Sequence, residues 1–265
     1  MKRTTLLLAG AYLLLAAGWL LSYLAPVAWE VTQVAAFFLG LAVAALLWWT
    51  ARQRRDERLF WGLLAAGWTV GLTISIAWGV YELATGRALE GGSWFGELYV
   101  VRYGLVMAAF GRCLSPWTGR RWAGLAGICL LALAVTWCGL LWPTWAASHA
   151  PLADLLAYGL YPLLDVVVVG LAVWAWRAEG AAAPQAGICA GRRTAISLLL
   201  VAMIAYGAAN WINLMVRGAS YDALSDLPSF FWALSDMLAG LAALKVLWAP
   251  QGAQTSDSSS AKNRV

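Results

Sequence analysis

Seven polar or charged side chains lie within or at the ends of otherwise apolar stretches of this 265-residue sequence. They are its candidates for chemistry: Glu82, Arg102, Asp165, Asn210, Asn213, Arg217 and Asp236. Asp165 stands near the middle of an apolar segment that is long enough to cross a bilayer, at ~1.5 Å per residue. An ionisable group at that depth costs ~2.5–3.5 kcal/mol on insertion scales, so Asp165 is a candidate functional residue.

Three kinds of chemistry fit this set of side chains. Charged groups in lipid must pair or face a wet cavity, so the two arginines of the set are expected partners of its three acids. The set then serves as interhelical bonding that holds the helices together, as a ligand-sensing pocket, or as a proton or ion pathway. The residue types alone leave all three open.

Helical spacing groups several of these residues. Tyr206, Asn210, Asn213 and Arg217 follow one another at intervals of four, three and four residues, so they share one face of one helix. A second pattern, small residues every four positions from Gly67 to Gly79, predicts a face on which another helix packs closely.

The sequence lacks the residue sets that catalysis or a bound cofactor would require. No Ser/His/Asp set, HExxH motif or phosphate-binding loop is present in the sequence. The single histidine, His149, cannot form a bis-histidine haem site, and the four cysteines have no paired spacing. We therefore predict no catalytic residue, no metal site and no cofactor.

The elements that must position the candidate residues are membrane-spanning helices. The sequence is 62% hydrophobic and 12% charged, and its apolar residues come in blocks separated by charged gaps. We predict an all-α polytopic membrane protein, with a transmembrane domain (1–248) of four tandem helical hairpins and a disordered cytoplasmic tail (249–265). The eight predicted spans cover residues 4–24, 31–50, 59–83, 97–110, 122–142, 152–176, 194–216 and 227–248.

The distribution of basic residues predicts the orientation of these spans. With the N-terminus inside, the inner segments hold 15 of the 18 lysines and arginines, and only Arg87, Arg102 and Arg217 fall elsewhere. Because cytoplasmic loops are rich in Lys and Arg, we predict both termini in the cytoplasm and a bacterial inner (plasma) membrane location. This topological bias explains the net charge of +5, so the lipid bilayer and not nucleic acid is the predicted partner.

Tryptophans recur near the ends of the predicted spans. Trp48, Trp61, Trp122, Trp142 and Trp248 are examples. Interfacial anchoring explains such positions without a ligand, because the amphipathic indole ring favours the headgroup level.

One stretch of the sequence resembles a known type of domain. The runs Leu152–Leu155 (LADL), Tyr161–Leu164 (YPLL) and Gly170–Leu171 are similar to segments of the multi-helix membrane input domains of bacterial signalling proteins. Those domains precede diguanylate cyclase, phosphodiesterase or histidine kinase modules. The resemblance implies a sensory membrane domain, here without an output module, that acts through a separate cytoplasmic signalling partner.

The function predicted on these grounds is a non-catalytic, sensor-like membrane module. It is expected to bind an unknown small ligand in an outward-facing polar pocket between spans 3, 4, 6, 7 and 8. Two alternatives stay open: a small-solute or proton-coupled transporter that uses Asp165 and Asp236, and a scaffold subunit of a larger membrane complex.

Overall fold

The structure is a computed structural model that describes residues 3–24, 29–86, 94–114, 118–143, 152–182, 189–219 and 227–249. Within these ranges the regular elements are helical, which confirms the predicted all-α class. The α-helices are α1 (Arg3–Leu24), α2 (Trp29–Gln53), α3 (Arg58–Thr85), α4 (Trp94–Cys113), α5 (Gly119–Thr136), α6 (Leu152–Ala182), α7 (Cys189–Ala219) and α8 (Leu227–Trp248). A short π-helical segment, Trp137–Leu141, continues α5.

Seven helices in the described part of the chain are long and apolar enough to cross a membrane, in agreement with the predicted multi-pass membrane protein. The helix outside this set is α4, where the predicted span 97–110 lies. Arg102 interrupts the apolar run of α4 near its middle, and Arg112 follows in its last turn. These charges lower the mean hydropathy of α4, which explains why this helix is outside the set.

Six helices form a closed ring, which we call the six-helix ring. Its members contact one another in the order α2, α3, α4, α6, α7 and α8, and α8 packs against α2 to close it. Outside the ring, α1 packs on α2 and α8, and α5 packs on α6. Polar side chains that point into the ring are therefore shielded from lipid and brought close to one another.

α1 is joined to the ring by a buried tyrosine. Tyr12 is fully buried, and its hydroxyl donates a hydrogen bond to the backbone carbonyl of Met237 in α8. The ring of Tyr12 occupies the space beside Gly240, where any larger residue would collide with it. The missing side chain at Gly240 thus lets α1 and α8 approach closely.

The small-residue face of α3 is occupied by α4. A methyl group at Gly67 would lie 3.1 Å from Cγ2 of Val106, and one at Gly71 would lie 2.8 Å from Nη1 of Arg102. Gly79 has no such neighbour within 4 Å. The predicted close packing is therefore confirmed at Gly67 and Gly71 and ends before Gly79.

An ion-paired cluster ties helix ends together at the end of the ring where α3 and α7 begin. The guanidinium of Arg192 lies 3.4 Å from Glu57 and 2.9 Å from Glu179. The indole N–H of Trp61 donates to the other carboxylate oxygen of Glu57 at 2.8 Å, and Trp61 is only 1% exposed. The interpretation of Trp61 as an interfacial anchor is therefore wrong, whereas Trp122 and Trp248 are exposed as an anchor requires.

Part of the sequence-based prediction lies outside the described residues. The predicted tail, 249–265, does so from residue 250 onward. The division into domains at residue 248 stays a prediction.

Candidate functional site

A buried carboxylate, Asp165 of α6, is held by hydrogen bonds from two neighbouring helices. Asp165 is 4% exposed. The hydroxyl of Tyr103 in α4 donates to its Oδ1 at 2.6 Å, and Nδ2 of Asn210 in α7 lies 3.2 and 3.0 Å from its two carboxylate oxygens. α7 comes this close because it has a glycine there: a methyl group at Gly207 would lie 3.3 Å from Cβ of Asp165.

The same network extends to α8 through Asn210. Its Nδ2 also lies 2.9 Å from the hydroxyl oxygen of Tyr103, and its Oδ1 accepts a hydrogen bond from the indole N–H of Trp232 at 3.0 Å. The amide therefore uses both its donor and its acceptor end. Because a buried polar group is costly unless it is bonded, this arrangement fixes α4, α6, α7 and α8 relative to one another.

A second carboxylate, Asp236 of α8, is bound by α3. The indole N–H of Trp68 donates to its Oδ1 at 2.8 Å. On the other side, a methyl group at Gly40 of α2 would lie 3.5 Å from Oδ2 of Asp236, which is ordinary van der Waals distance. The carboxylate thus lies where α2, α3 and α8 meet.

Arg102 of α4 lies between these two carboxylate sites, and aromatic rings hold it. Its guanidinium carbon is 4.1 Å from the ring centre of Tyr206 and 5.1 Å from that of Trp68. The side chain passes over Gly71, which leaves room for it. Cation–π contacts of this kind contribute ~0.5–2 kcal/mol each, depending on desolvation.

The sequence-based expectation of a direct ion pair for Arg102 is wrong within the described residues. There, no carboxylate oxygen lies within 4.0 Å of its guanidinium, and no acceptor is hydrogen-bonded to its N–H groups. The reason is that both acids have other donors: Tyr103 and Asn210 bind Asp165, and Trp68 binds Asp236. The guanidinium keeps N–H donors in a planar fork that suits a carboxylate or another small anion.

Four of the seven predicted residues come together: Arg102, Asp165, Asn210 and Asp236. Asn213 is half-buried one turn beyond Asn210, and it makes none of these hydrogen bonds. Arg217 lies in the part of α7 whose side chains are outside the described residues.

Glu82 lies apart from Arg102 and Asp236, which are both beside Trp68. It accepts a hydrogen bond from the indole N–H of Trp78 at 2.9 Å, one turn away on its own helix. Along α3 it is ~21 Å from Trp68, at ~1.5 Å per residue. Of its two predicted partners, Arg102 lies at a different level of the ring, and the side chain of Arg217 is outside the described residues.

Three aromatic residues of the site were not predicted from the sequence, although Tyr206 was. Trp68, Tyr103 and Trp232 each supply a hydrogen bond to the network. The signal that points to them is position: Trp68 and Tyr103 fall in mid-helix, where an interfacial anchor has no use for its polar atom. Tyr103 also follows Arg102 directly, so it belongs to the same polar break in α4.

No group of three or more His, Cys, Asp or Glu side chains that could hold a metal ion occurs among the described residues. The site contains one guanidinium, two carboxylates, and the hydroxyl, amide and indole groups around them. These groups suit binding of a small charged molecule.

We expect Gly71→Ala to lower the free energy of unfolding by about 1–3 kcal/mol, because the new methyl group would displace the guanidinium of Arg102. Gly79→Ala is the matched control on the same helix. Nothing lies within 4 Å of its new methyl group, so stability should stay the same or rise by up to ~1 kcal/mol. Thermal unfolding in detergent measures both variants. Equal effects would contradict this placement of Arg102.

Comparison of the chain with protein-family models, curated proteins and solved structures finds no match.

Proposed function

We propose that this chain is a non-catalytic integral membrane module that binds a small organic anion at Arg102 and acts as a sensor. The observation that carries the proposal is the guanidinium of Arg102, which is held between Tyr206 and Trp68 inside the six-helix ring. Along α4 it is ~12 Å and ~16 Å from the two helix ends, at ~1.5 Å per residue.

Energetics support an anionic ligand. Placing an arginine at mid-helix depth in a bilayer costs ~2.5–3.5 kcal/mol on insertion scales. Two cation–π contacts offset part of this cost, and a bound carboxylate that accepts two N–H bonds would offset the rest. A carboxylate ligand would also leave the hydrogen bonds of Asp165 and Asp236 undisturbed.

Two polar side chains lie one turn from the guanidinium, toward one end of the ring. Ser75 lies one turn beyond Gly71 on α3, and its hydroxyl is 3.0 Å from that of Tyr99, one turn from Arg102 on α4. Ser75 is exposed. In the proposed topology α4 also crosses the membrane, which gives eight spans in four hairpins, and this end of the ring faces outward.

The proposed orientation places both termini in the cytoplasm of a bacterium, with the protein in its inner membrane. The excess of Lys and Arg on one side, 15 of 18, supports it. The resemblance of Leu152–Leu155 and Tyr161–Leu164 to signalling input domains supports a sensory role through a separate cytoplasmic partner. That partner would read a change in the ring when the anion binds.

Binding of monocarboxylates to the purified protein tests the proposal. We expect acetate or benzoate to raise the unfolding temperature in detergent in a concentration-dependent way, while acetamide and benzamide do not. Arg102→Gln should abolish the shift. Arg120→Gln, which removes an exposed charge at the start of α5, should keep it.

Two results would count against the proposal. Equal shifts from the acids and their amides would show that charge is not recognised, and a shift that survives Arg102→Gln would place binding elsewhere. Proteoliposomes separate the transporter alternative from the sensor. Uptake of the bound carboxylate, abolished by Asp165→Asn, would favour transport.

A further inference from the structure

A cavity of about 520 Å³ opens between α1, α2 and α3, apart from the Arg102 site. Its lining includes Leu8 of α1, Trp48, Trp49 and Arg52 of α2, and Arg58 and Gly62 of α3. Arg52 lies in the last turn of α2 and Arg58 begins α3, so both arginines lie at the membrane boundary. The cavity therefore has an apolar wall and a basic edge.

The apolar wall is held in place by hydrogen bonds that satisfy its polar atoms. The indole N–H of Trp48 donates to Thr69 at 3.0 Å, and that of Trp49 donates to Thr5 at 2.9 Å. Gly62 has nothing within 4 Å of the position that a methyl group would take, so the wall is open along α3. A hydrocarbon chain fits such a surface because no polar atom of these indoles is left to solvate.

Two neighbours of these arginines in the same turn are engaged with other parts of the protein. Arg54 donates to the backbone carbonyls of Val246 and Ala249, and Glu57 is bound by Trp61 and Arg192. Arg52 and Arg58 are exposed. The edge of the cavity therefore carries two positive charges, Glu57 is engaged elsewhere, and Asp56 is an exposed acid in the same turn.

We infer that this cavity binds one anionic glycerophospholipid. The phosphodiester lies between Arg52 and Arg58, and an acyl chain lies against Leu8, Trp48 and Gly62. Basic pockets between transmembrane helices recognise anionic headgroups, and tryptophans at the same level favour the interface. The apolar wall selects a lipid over free phosphate, and the positive edge selects an anionic over a zwitterionic headgroup.

Lipid titration of the purified protein in detergent tests this inference, with dioleoyl phosphatidylglycerol as probe and native mass spectrometry as readout. The Arg52→Gln/Arg58→Gln variant should bind it about 30-fold more weakly, from about 1 kcal/mol for each basic residue near an anionic surface. Arg120→Gln/Arg177→Gln removes two exposed charges, one on α5 and one on α6, and should bind as the wild type does.

A second pair of variants tests the wall without changing charge. Gly62→Leu should fill the cavity and reduce phosphatidylglycerol binding at least tenfold. Gly127→Leu, at an open position on α5, should not. Unfolding temperatures without lipid, if equal for the two leucine variants, show that the fold is intact.

Three outcomes would overturn the inference. Equal binding of dioleoyl phosphatidylcholine would show that the headgroup charge is not read. Competition by inorganic phosphate at the same concentration would assign the arginines to free phosphate. Unchanged binding in both Gly62→Leu and the double glutamine variant would place the lipid elsewhere on the protein.

Discussion

Asp165→Ala is expected to lower the free energy of unfolding by about 2–4 kcal/mol. The substitution leaves two donors, the Tyr103 hydroxyl and the Asn210 amide, without their acceptor inside the ring. Each buried donor without an acceptor costs about 1–3 kcal/mol, and side-chain bonds between membrane helices fall toward the low end of such values. Unfolding in mixed detergent micelles measures the change.

A conservative variant and a control variant test whether the effect is specific to the Asp165 network. Asp165→Asn keeps the side-chain shape and one acceptor oxygen, so it should cost roughly half as much. Glu82→Ala removes an acid that lies apart from the network, and it should cost less than about 1 kcal/mol. If the two alanine variants were equally destabilised, Asp165 would not be the centre of a buried network.

Arg102→Met is expected to have the opposite sign, a gain of about 1 kcal/mol in stability together with loss of anion binding. The arginine costs ~2.5–3.5 kcal/mol at this depth, and its contacts with Trp68 and Tyr206, together with its charge attraction to Asp236, return part of that cost. Methionine has a similar length and no charge, so it should fill the same space over Gly71. Thermal unfolding and carboxylate binding, measured on the same sample, check both halves of the prediction.

Arg102→Lys is the matched control because it keeps the charge and loses the planar group. An ammonium ion is strongly hydrated and cannot stack on two rings, so this variant should lose about 1–2 kcal/mol. If methionine were as destabilising as lysine, the contacts with the rings would outweigh the cost of burial. Arg102 would then serve the fold and not a ligand.

Opposite signs at Asp165 and Arg102 would separate two roles within one site. Removing a residue that only holds helices together lowers the stability of the protein. Removing a residue that is kept for function at an energetic cost raises the stability of the protein. The pair of measurements therefore bears directly on whether the polar interior is structural or binds a ligand.

The sequence by itself determined the class of the protein, which is an all-helical chain with several helices apolar enough to cross a membrane. Blocks of apolar residues set the helices, because a chain in lipid must satisfy its backbone hydrogen bonds internally. The position of Asp165 within such a block predicts that this residue lies inside the membrane. Gly67 and Gly71 likewise indicated a packing face, since small residues at helical spacing have few other uses.

Tertiary structure alone decided which groups meet. The expectation of an ion pair for Arg102 followed from charge balance, but closing the ring through α4 with α6 and α8 with α2 gave the acids other donors. Which helix lies beside which depends on the sum of many weak packing contacts, and these are not local in sequence.

The aromatic residues show the same limit. In sequence, Trp68 looks like a lipid-facing or interfacial tryptophan such as Trp122, because both belong to apolar helices rich in aromatic residues. Only the closed ring of helices brings Asp236 of α8 within reach of the indole N–H of Trp68 in α3. Hydrophobicity fixes how deep a side chain lies, whereas its direction and partner are fixed by neighbouring helices.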